Sequence, residues 1–261
     1  MLGKPTDTRR VPLFGMRIDA LTMDEAVARL SHWAENRDAV CRYVVTPNVD
    51  HAVILRNDQR LQAAYRDASL VVADGWPLVL VSRLLGQPIP ERVAGSDLVP
   101  ELLANADDRH PLTVFLLGAA PGVADRAASR IESQWPNVRV VGTCSPPMGF
   151  ENDVVENAAI LHQVADANPD VLIIGLGAPK QELWIHQHRR QVRAAVAICA
   201  GATIDFLAGE KKRAPRWMRR VGLEWCHRML ADPRRLARRY ARDAWVLPQL
   251  VVKDLLARSA R

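Results

Sequence analysis

The stretch VLIIGLGAPKQELW, residues 171–184, opens on an unbroken apolar run, turns at Gly175, Gly177 and Pro179, and continues with helical spacing as far as 192. An apolar run without polar alternation suits a strand buried on both faces, and the glycines and proline mark the turn into a covering helix. The pattern repeats outward in both directions. Apolar or β-branched runs at 40–46, 69–73, 112–117, 138–142 and 195–200 are separated by helically spaced stretches at 58–67, 97–107, 121–134 and 153–167. Strands alternating with helices predict an α/β fold with a mostly parallel sheet covered on both faces. Upstream, residues 11–19 read as a small hairpin, and Thr22 with Glu25 reads as a capping box that opens a helix to about Asn36.

A chain of 261 residues, 49% hydrophobic and 25% charged, has the interior and composition of a folded protein, which excludes a disulfide-stapled miniprotein and a disordered chain. The four cysteines, at 41, 144, 199 and 226, form no C-x-x-C pair and are expected as reduced thiols. No uncharged run approaches the roughly 18 apolar residues of a membrane span, and residues 1–10 lack the apolar centre of a secretory signal, so the expected compartment is the cytoplasm. Charge is unevenly placed. Residues 210–261 hold fifteen Lys/Arg and five Asp/Glu, a net of +10, whereas the remaining 209 residues carry a net of −4. That contrast divides the chain into a body, 1–209, and a basic helical appendage, 210–261, suited to phosphates, an anionic membrane surface or nucleic acid.

In a parallel α/β sheet ligands bind beyond the carboxyl ends of the strands, so the residues after each run carry the functional reading. Polar groups and glycines gather there: Thr46-Pro47-Asn48-Val49-Asp50, Asp74-Gly75-Trp76-Pro77, Gly118 to Gly122, Gly177 to Glu182, and Gly201 to Asp205. Asp74 is the best-placed carboxylate for proton abstraction. It is equally placed to satisfy the N–H groups of the following turn, and position alone weighs the two readings evenly. Asn48 and Asp50 also suit turn formation, and Gln181 and Glu182 suit a solvated first helical turn. The glycine turns lack the Lys-Ser/Thr of a P-loop and the third glycine of a dinucleotide fingerprint. Metal chemistry finds no support, because no two aspartates are spaced i, i+2 and no H-E-x-x-H occurs. His186 and His188, two apart on a helix, point in different directions and read as surface residues.

The appendage separates into two helices. Pro215 suits the first turn of one, with Met218, Val221, Trp225 and Met229 on its apolar side, and Asp232-Pro233 restarts a second with Leu236, Tyr240, Ala244 and Leu247 in one stripe. Arg235, Arg238, Arg239 and Arg242 flank that stripe, interleaved with aromatics, a combination suited to diphosphates and to a membrane interface.

Together the blocks Thr46-Pro47-Asn48, Ala73 to Val79, Glu91 to Leu98, Gly177 to Trp184, Asp205 to Gly209, Arg213-Ala214-Pro215-x-Trp217-Met218 and Gly222 to Trp225 resemble the WecG/TagA/CpsF family of bacterial glycosyltransferases, glycosyltransferase family 26. The resemblance spans residues 11 to about 250. It implies a Rossmann-like fold and transfer of a sugar, typically an N-acetylhexosamine such as N-acetylmannosamine, from a UDP-sugar donor to a polyprenyl-diphosphate-linked sugar, with inversion. It further implies work at the inner face of the cytoplasmic membrane in cell-surface polysaccharide synthesis, with the appendage covering the active site and engaging the membrane. Self-association into a homo-oligomer is compatible with it. On this reading Asp74 is the base, Thr46, Asn48 and Gln181 orient substrate, and Arg92, Arg213, Arg228 and Arg235 take the anionic groups. No cofactor or metal is expected. A UDP-glucose-using exopolysaccharide enzyme of the same family is the nearest alternative. A nucleotide-binding oxidoreductase and a nucleic-acid module are more distant, the first lacking the full glycine fingerprint and the second resting on the arginines alone.

Overall fold

The computed structural model describes residues 8–215, 217–218 and 222–259; the side chains of Arg228, Ala231, Arg235 and Ser259 lie outside the described residues. The chain opens on an antiparallel hairpin, β1 (Arg10–Leu13) and β2 (Met16–Asp19), with Arg10 opposite Asp19. The capping box at Thr22 and Glu25 then starts α1 (Met23–Glu35).

The body follows the expected alternation. In chain order come β3 (Arg42–Val45), α2 (Val49–Leu55), α3 (Gln59–Arg66), β4 (Leu70–Val71), α4 (Trp76–Leu84), α5 (Gly95–Ala104), β5 (Leu112–Gly118), α6 (Val123–Gln134), β6 (Val138–Cys144), α7 (Val154–Ala167), β7 (Val171–Gly175), α8 (Lys180–His188), β8 (Val196–Cys199) and α9 (Thr203–Ala208). The six strands β3 to β8 form one parallel sheet in the order β4-β3-β8-β7-β5-β6, with helices on both faces. Alternation within the strands divides the core between the faces. Tyr43, Val45, Leu172, Ile174, Ala197 and Cys199 meet the hairpin, α2, α3 and α8, while Val44, Val171, Ile173, Val196 and Ile198 meet α1, α5, α6 and α9. Such runs are wholly apolar because neither face meets water.

Two differences from the sequence expectation matter for function. The run at 69–73 pairs over only Leu70–Val71, because the chain leaves the sheet edge to carry Asp74 across to the neighbouring loop. Three helices, α2, α4 and α9, begin inside the polar clusters that read as turns. Asn48 caps α2, and Pro77 sits in the first turn of α4, so the residues that signalled turns are helix-starting residues. Close approach of loops at the sheet's carboxyl end requires glycine: a Cβ on Gly118, at φ +121°, would lie 2.6 Å from the Gly175 carbonyl carbon and oxygen.

In the tail, Trp217 and Met218 are helical and Val221 lies outside the described residues; the chain then turns at Gly222 (φ +79°) and Leu223, so Met218 does not share one helix with Trp225 and Met229 as expected, and it continues as α10 (Glu224–Ala231) and α11 (Pro233–Ser259). The α11 helix starts at the expected Asp232-Pro233 and packs back along α2, burying Leu236 and Leu250. Near its end the Asp254 carboxylate accepts the Phe14 N–H at 2.7 Å, and Arg258 donates to the Leu85 and Pro12 carbonyls at 2.7 and 2.8 Å. All four cysteines are free, Cys41 and Cys199 being buried.

Candidate active site

A cavity of about 280 Å³ lies beyond the carboxyl ends of β3 and β4, where the stripe of α11 passes over the body. Asn48, Asp50, Asp74 and Arg92 line it from the body, and Glu224, Trp225, Tyr240 and Leu247 line it from the tail. The Asp74 N–H donates to the Pro47 carbonyl at 2.8 Å, which brings the loop after β4 against the loop after β3 and places Asp74 beside Asn48. The tail backbone closes over this corner at Gly222, where a Cβ would come within 2.8 Å of Trp76 Cδ1 and φ is +79°.

Charge is organised around two arginine clusters. Arg92, 13% exposed, points Nη1 at Asp74 Oδ1 (3.5 Å) and Glu224 Oε2 (3.9 Å), and Nη2 at Asp97 Oδ2 (2.6 Å). Arg213 donates to Asp97 Oδ1 at 2.8 Å and to Ser96 Oγ at 2.9 Å, so Asp97 joins the two guanidiniums. Burial opposes the Asp97 charge, but Arg213 and Arg92 outweigh it and hold the carboxyl below its ordinary range. For Arg92 burial opposes charge, and Asp74, Asp97 and Glu224 outweigh it and raise its pKa. On the other wall Asp50 pairs with Arg239 (3.4 Å) and with Arg242. Burial, then the neighbouring Asp50, pushes the Asp243 carboxyl up against the opposing pull of Arg242 and Arg239. The cavity thus sets a half-buried carboxylate beside a fixed guanidinium, the elements needed to take a proton and to meet an anion.

The structure brings Asp74, Asn48 and Arg92 together on the cavity wall. Arg213 stands one step behind, reaching Arg92 through Asp97. Thr46 is buried and off the cavity wall, its hydroxyl donating to the Cys199 carbonyl at 3.1 Å to tie β3 to β8. Gln181, also off the wall, accepts the Gly201 N–H at 3.2 Å and donates to Glu182 Oε1 at 2.8 Å. Arg228 and Arg235 fall on α10 and α11, and their side chains lie outside the described residues.

Of the other cavity residues, sequence reasoning named Asp50 only as a rim or turn residue, Arg239 only among the arginines flanking the tail stripe and Tyr240 only within that stripe, and it gave no role to Glu224 and Asp243. Arg239 and Asp243 are spaced i, i+4 and so share a helix face, a signal visible beforehand; that this face meets α2 was not. Two readings are corrected. Gln181 and Glu182 are buried rather than solvated, and His188 is buried against Trp184, with ring centroids 5.3 Å apart, rather than a surface residue. Among the described residues no group of three or more His, Cys, Asp or Glu is arranged to hold a metal ion.

Comparison with known proteins shows that residues 11–261 match the glycosyl transferase WecG/TagA/CpsF family. Relatives from Staphylococcus aureus strains NCTC 8325 / PS 47 and COL are each 30% identical over 233 residues, covering 89% of this chain and 89% of the relative. Both are named N-acetylglucosaminyldiphosphoundecaprenol N-acetyl-beta-D-mannosaminyltransferase.

Proposed function

The chain belongs to the WecG/TagA/CpsF glycosyltransferase family, and from that premise we propose that it moves a sugar, an N-acetylhexosamine such as N-acetylmannosamine, from a UDP-sugar to a polyprenyl-diphosphate-linked sugar with inversion at the anomeric carbon. Asp74 takes the proton from the acceptor hydroxyl as that oxygen attacks the anomeric carbon and the bond to UDP breaks. The adjacent Arg92, fixed by Asp97, keeps the Asp74 carboxylate oriented and supplies positive charge beside the reacting atoms. Arg239, on the opposite wall, meets the anionic diphosphate. Tail closure over the cavity excludes water, which strengthens each of these interactions and protects the donor from hydrolysis.

The observation that carries this reading is the juxtaposition of Asp74 and Arg92 in a cavity roofed by a basic helix. Among the described residues no helix is long and apolar enough to cross a membrane. The lipid-linked acceptor is met instead at the inner membrane face, where exposed Trp217, Trp225, Leu230, Trp245 and Leu256 on the basic tail suit a peripheral contact with anionic lipid. The test supplies purified protein with UDP-N-acetylmannosamine, other UDP-sugars and a lipid-linked N-acetylglucosamine, with product read by mass spectrometry. Asp74→Asn is expected to fold normally and lose at least about a hundredfold in kcat, in keeping with removal of a general base. A near-wild-type rate would remove Asp74 from that role, and no product with any UDP-sugar would overturn the transferase reading.

A further inference from the structure

Beneath the cavity lies a buried polar cluster that the proposed chemistry leaves unused. Glu182, on α8, is fully buried, and its Oε1 lies 3.4 Å from His51 Nε2 on α2 and accepts from Gln181 Nε2 at 2.8 Å. His51 Nε2, Glu182 Oε2 and the Tyr65 hydroxyl are buried with no hydrogen-bond partner among the described residues, so His51 and Glu182 meet as an ion pair at 3.4 Å. The other edge of the imidazole reaches the cavity wall: His51 Nδ1 lies 3.0 Å from Asn48 Oδ1 and 3.3 Å from the Asn48 backbone nitrogen.

Those two contacts require opposite states of one nitrogen. A protonated Nδ1 donates to Asn48 Oδ1; a bare Nδ1 accepts the Asn48 N–H. A carboxylate removed from water needs a cationic partner, and His51 is the one at hand. Burial opposes charge on His51, while Glu182, Asp50 and Asp74 raise its pKa above the ordinary value. Other groups around it are the Tyr65 hydroxyl from α3 and, through Asp50, Arg239 and Arg242 from α11. With Nδ1 protonated, Asn48 Oδ1 accepts twice, from His51 and from the Asp50 N–H at 3.0 Å. The remaining polar group of that side chain is its NH₂.

We propose that His51 and Glu182 are positioning residues: the buried carboxylate holds the imidazole, and the imidazole fixes the Asn48 amide so that its NH₂ meets an oxygen of the bound substrate. This rests on the reading of the cavity as the transferase site. One carboxylate thereby sets both Asn48, the N-cap of α2, and Gln181, in the first turn of α8.

The first test needs no turnover. Nitrogen-15 spectra of the full chain with labelled histidines are expected to show His51 protonated on both ring nitrogens at neutral pH, assigned by loss of the signal in His51→Gln; a neutral imidazole there overturns the proposal. In kinetics, Glu182→Gln is expected to lower kcat/KM about tenfold, the size of one hydrogen bond lost at a charged group. It is also expected to move the alkaline limb to lower pH, because activity that needs charged His51 disappears as pH rises through its pKa. In an Asn48→Ala background the same change is expected to cost less than about twofold, since coupled residues are not additive. A full tenfold loss in that background, or an unmoved alkaline limb, overturns the proposal. Inactive wild type with a doubly protonated His51 would instead defeat the transferase reading alone.

Discussion

Replacing Asp50 by Asn removes the carboxylate that joins α11 to α2 through Arg239 and Arg242. The two arginines do not lose equally. Arg242, with a side chain 47% exposed, keeps Asp243 at 3.3 Å, so its loss falls in the ~0.5 kcal/mol range of a solvated pair. Arg239, 28% exposed and 3.4 Å from Asp50, has a gross attraction of roughly 5 kcal/mol at an effective dielectric near 20, most of it cancelled by desolvation and side-chain ordering. Asp243 is also relieved of its Asp50 neighbour, which offsets part of the loss. The net weakening of tail docking is then about 1–2 kcal/mol, or roughly five- to thirtyfold in the opening equilibrium. Hydrogen–deuterium exchange of the first turns of α11 near neutral pH should accelerate by that factor, with α8 as the unaffected internal reference. Raising salt to about 0.5 M should reproduce part of the effect in the wild type by screening the same pairs. Acceleration of less than about twofold would refute the argument and assign tail docking to Leu236 and Leu250 alone.

Gly118→Ala places a methyl group 2.6 Å from the Gly175 carbonyl atoms at φ +121°, and backbone cannot yield as a flexible side chain does. It is expected to destabilise the body by more than ~3 kcal/mol, a fall in Tm of about 6–12 °C by thermal unfolding; a change within about 2 °C would contradict it. Asp97, whose carboxyl is depressed by Arg213 and Arg92 against burial, contributes stability that is present above its unfolded pKa near ~3.9 and lost as pH falls through its folded value. Asp97→Asn should therefore lower stability at neutral pH and flatten the acid limb of a urea-unfolding series; an acid limb as steep as that of the wild type would show that Asp97 is not its source.

The fold was legible where side-chain pattern follows directly from burial. Runs such as 112–117 and 171–176 read correctly as strands because a strand enclosed on both faces has no polar alternation to hide it. The short edge strand Leu70–Val71 was overread by its apolar flanks, and α2, α4 and α9 were missed because Asn, Pro and Gly serve helix starts and turns alike. Asp74 and Asn48 were legible as rim residues, since strand ends gather in one place whatever the details, whereas Arg92 follows no strand run and entered only through the family resemblance.

Composition, period and local chain order were enough to read the alternation of strands and helices, the rim on which chemistry gathers and the basic tail, and the resemblance of the ordered motif blocks supplied the family. The packing of the folded chain is what lets Asp97 join Arg92 to Arg213, sets Asp50 against α11, and buries Glu182 under His51 rather than leaving it in water. Each of those is a meeting of side chains far apart in the chain. Burial, and with it the strength of every charge, is a property of what covers a residue rather than of its neighbours in sequence.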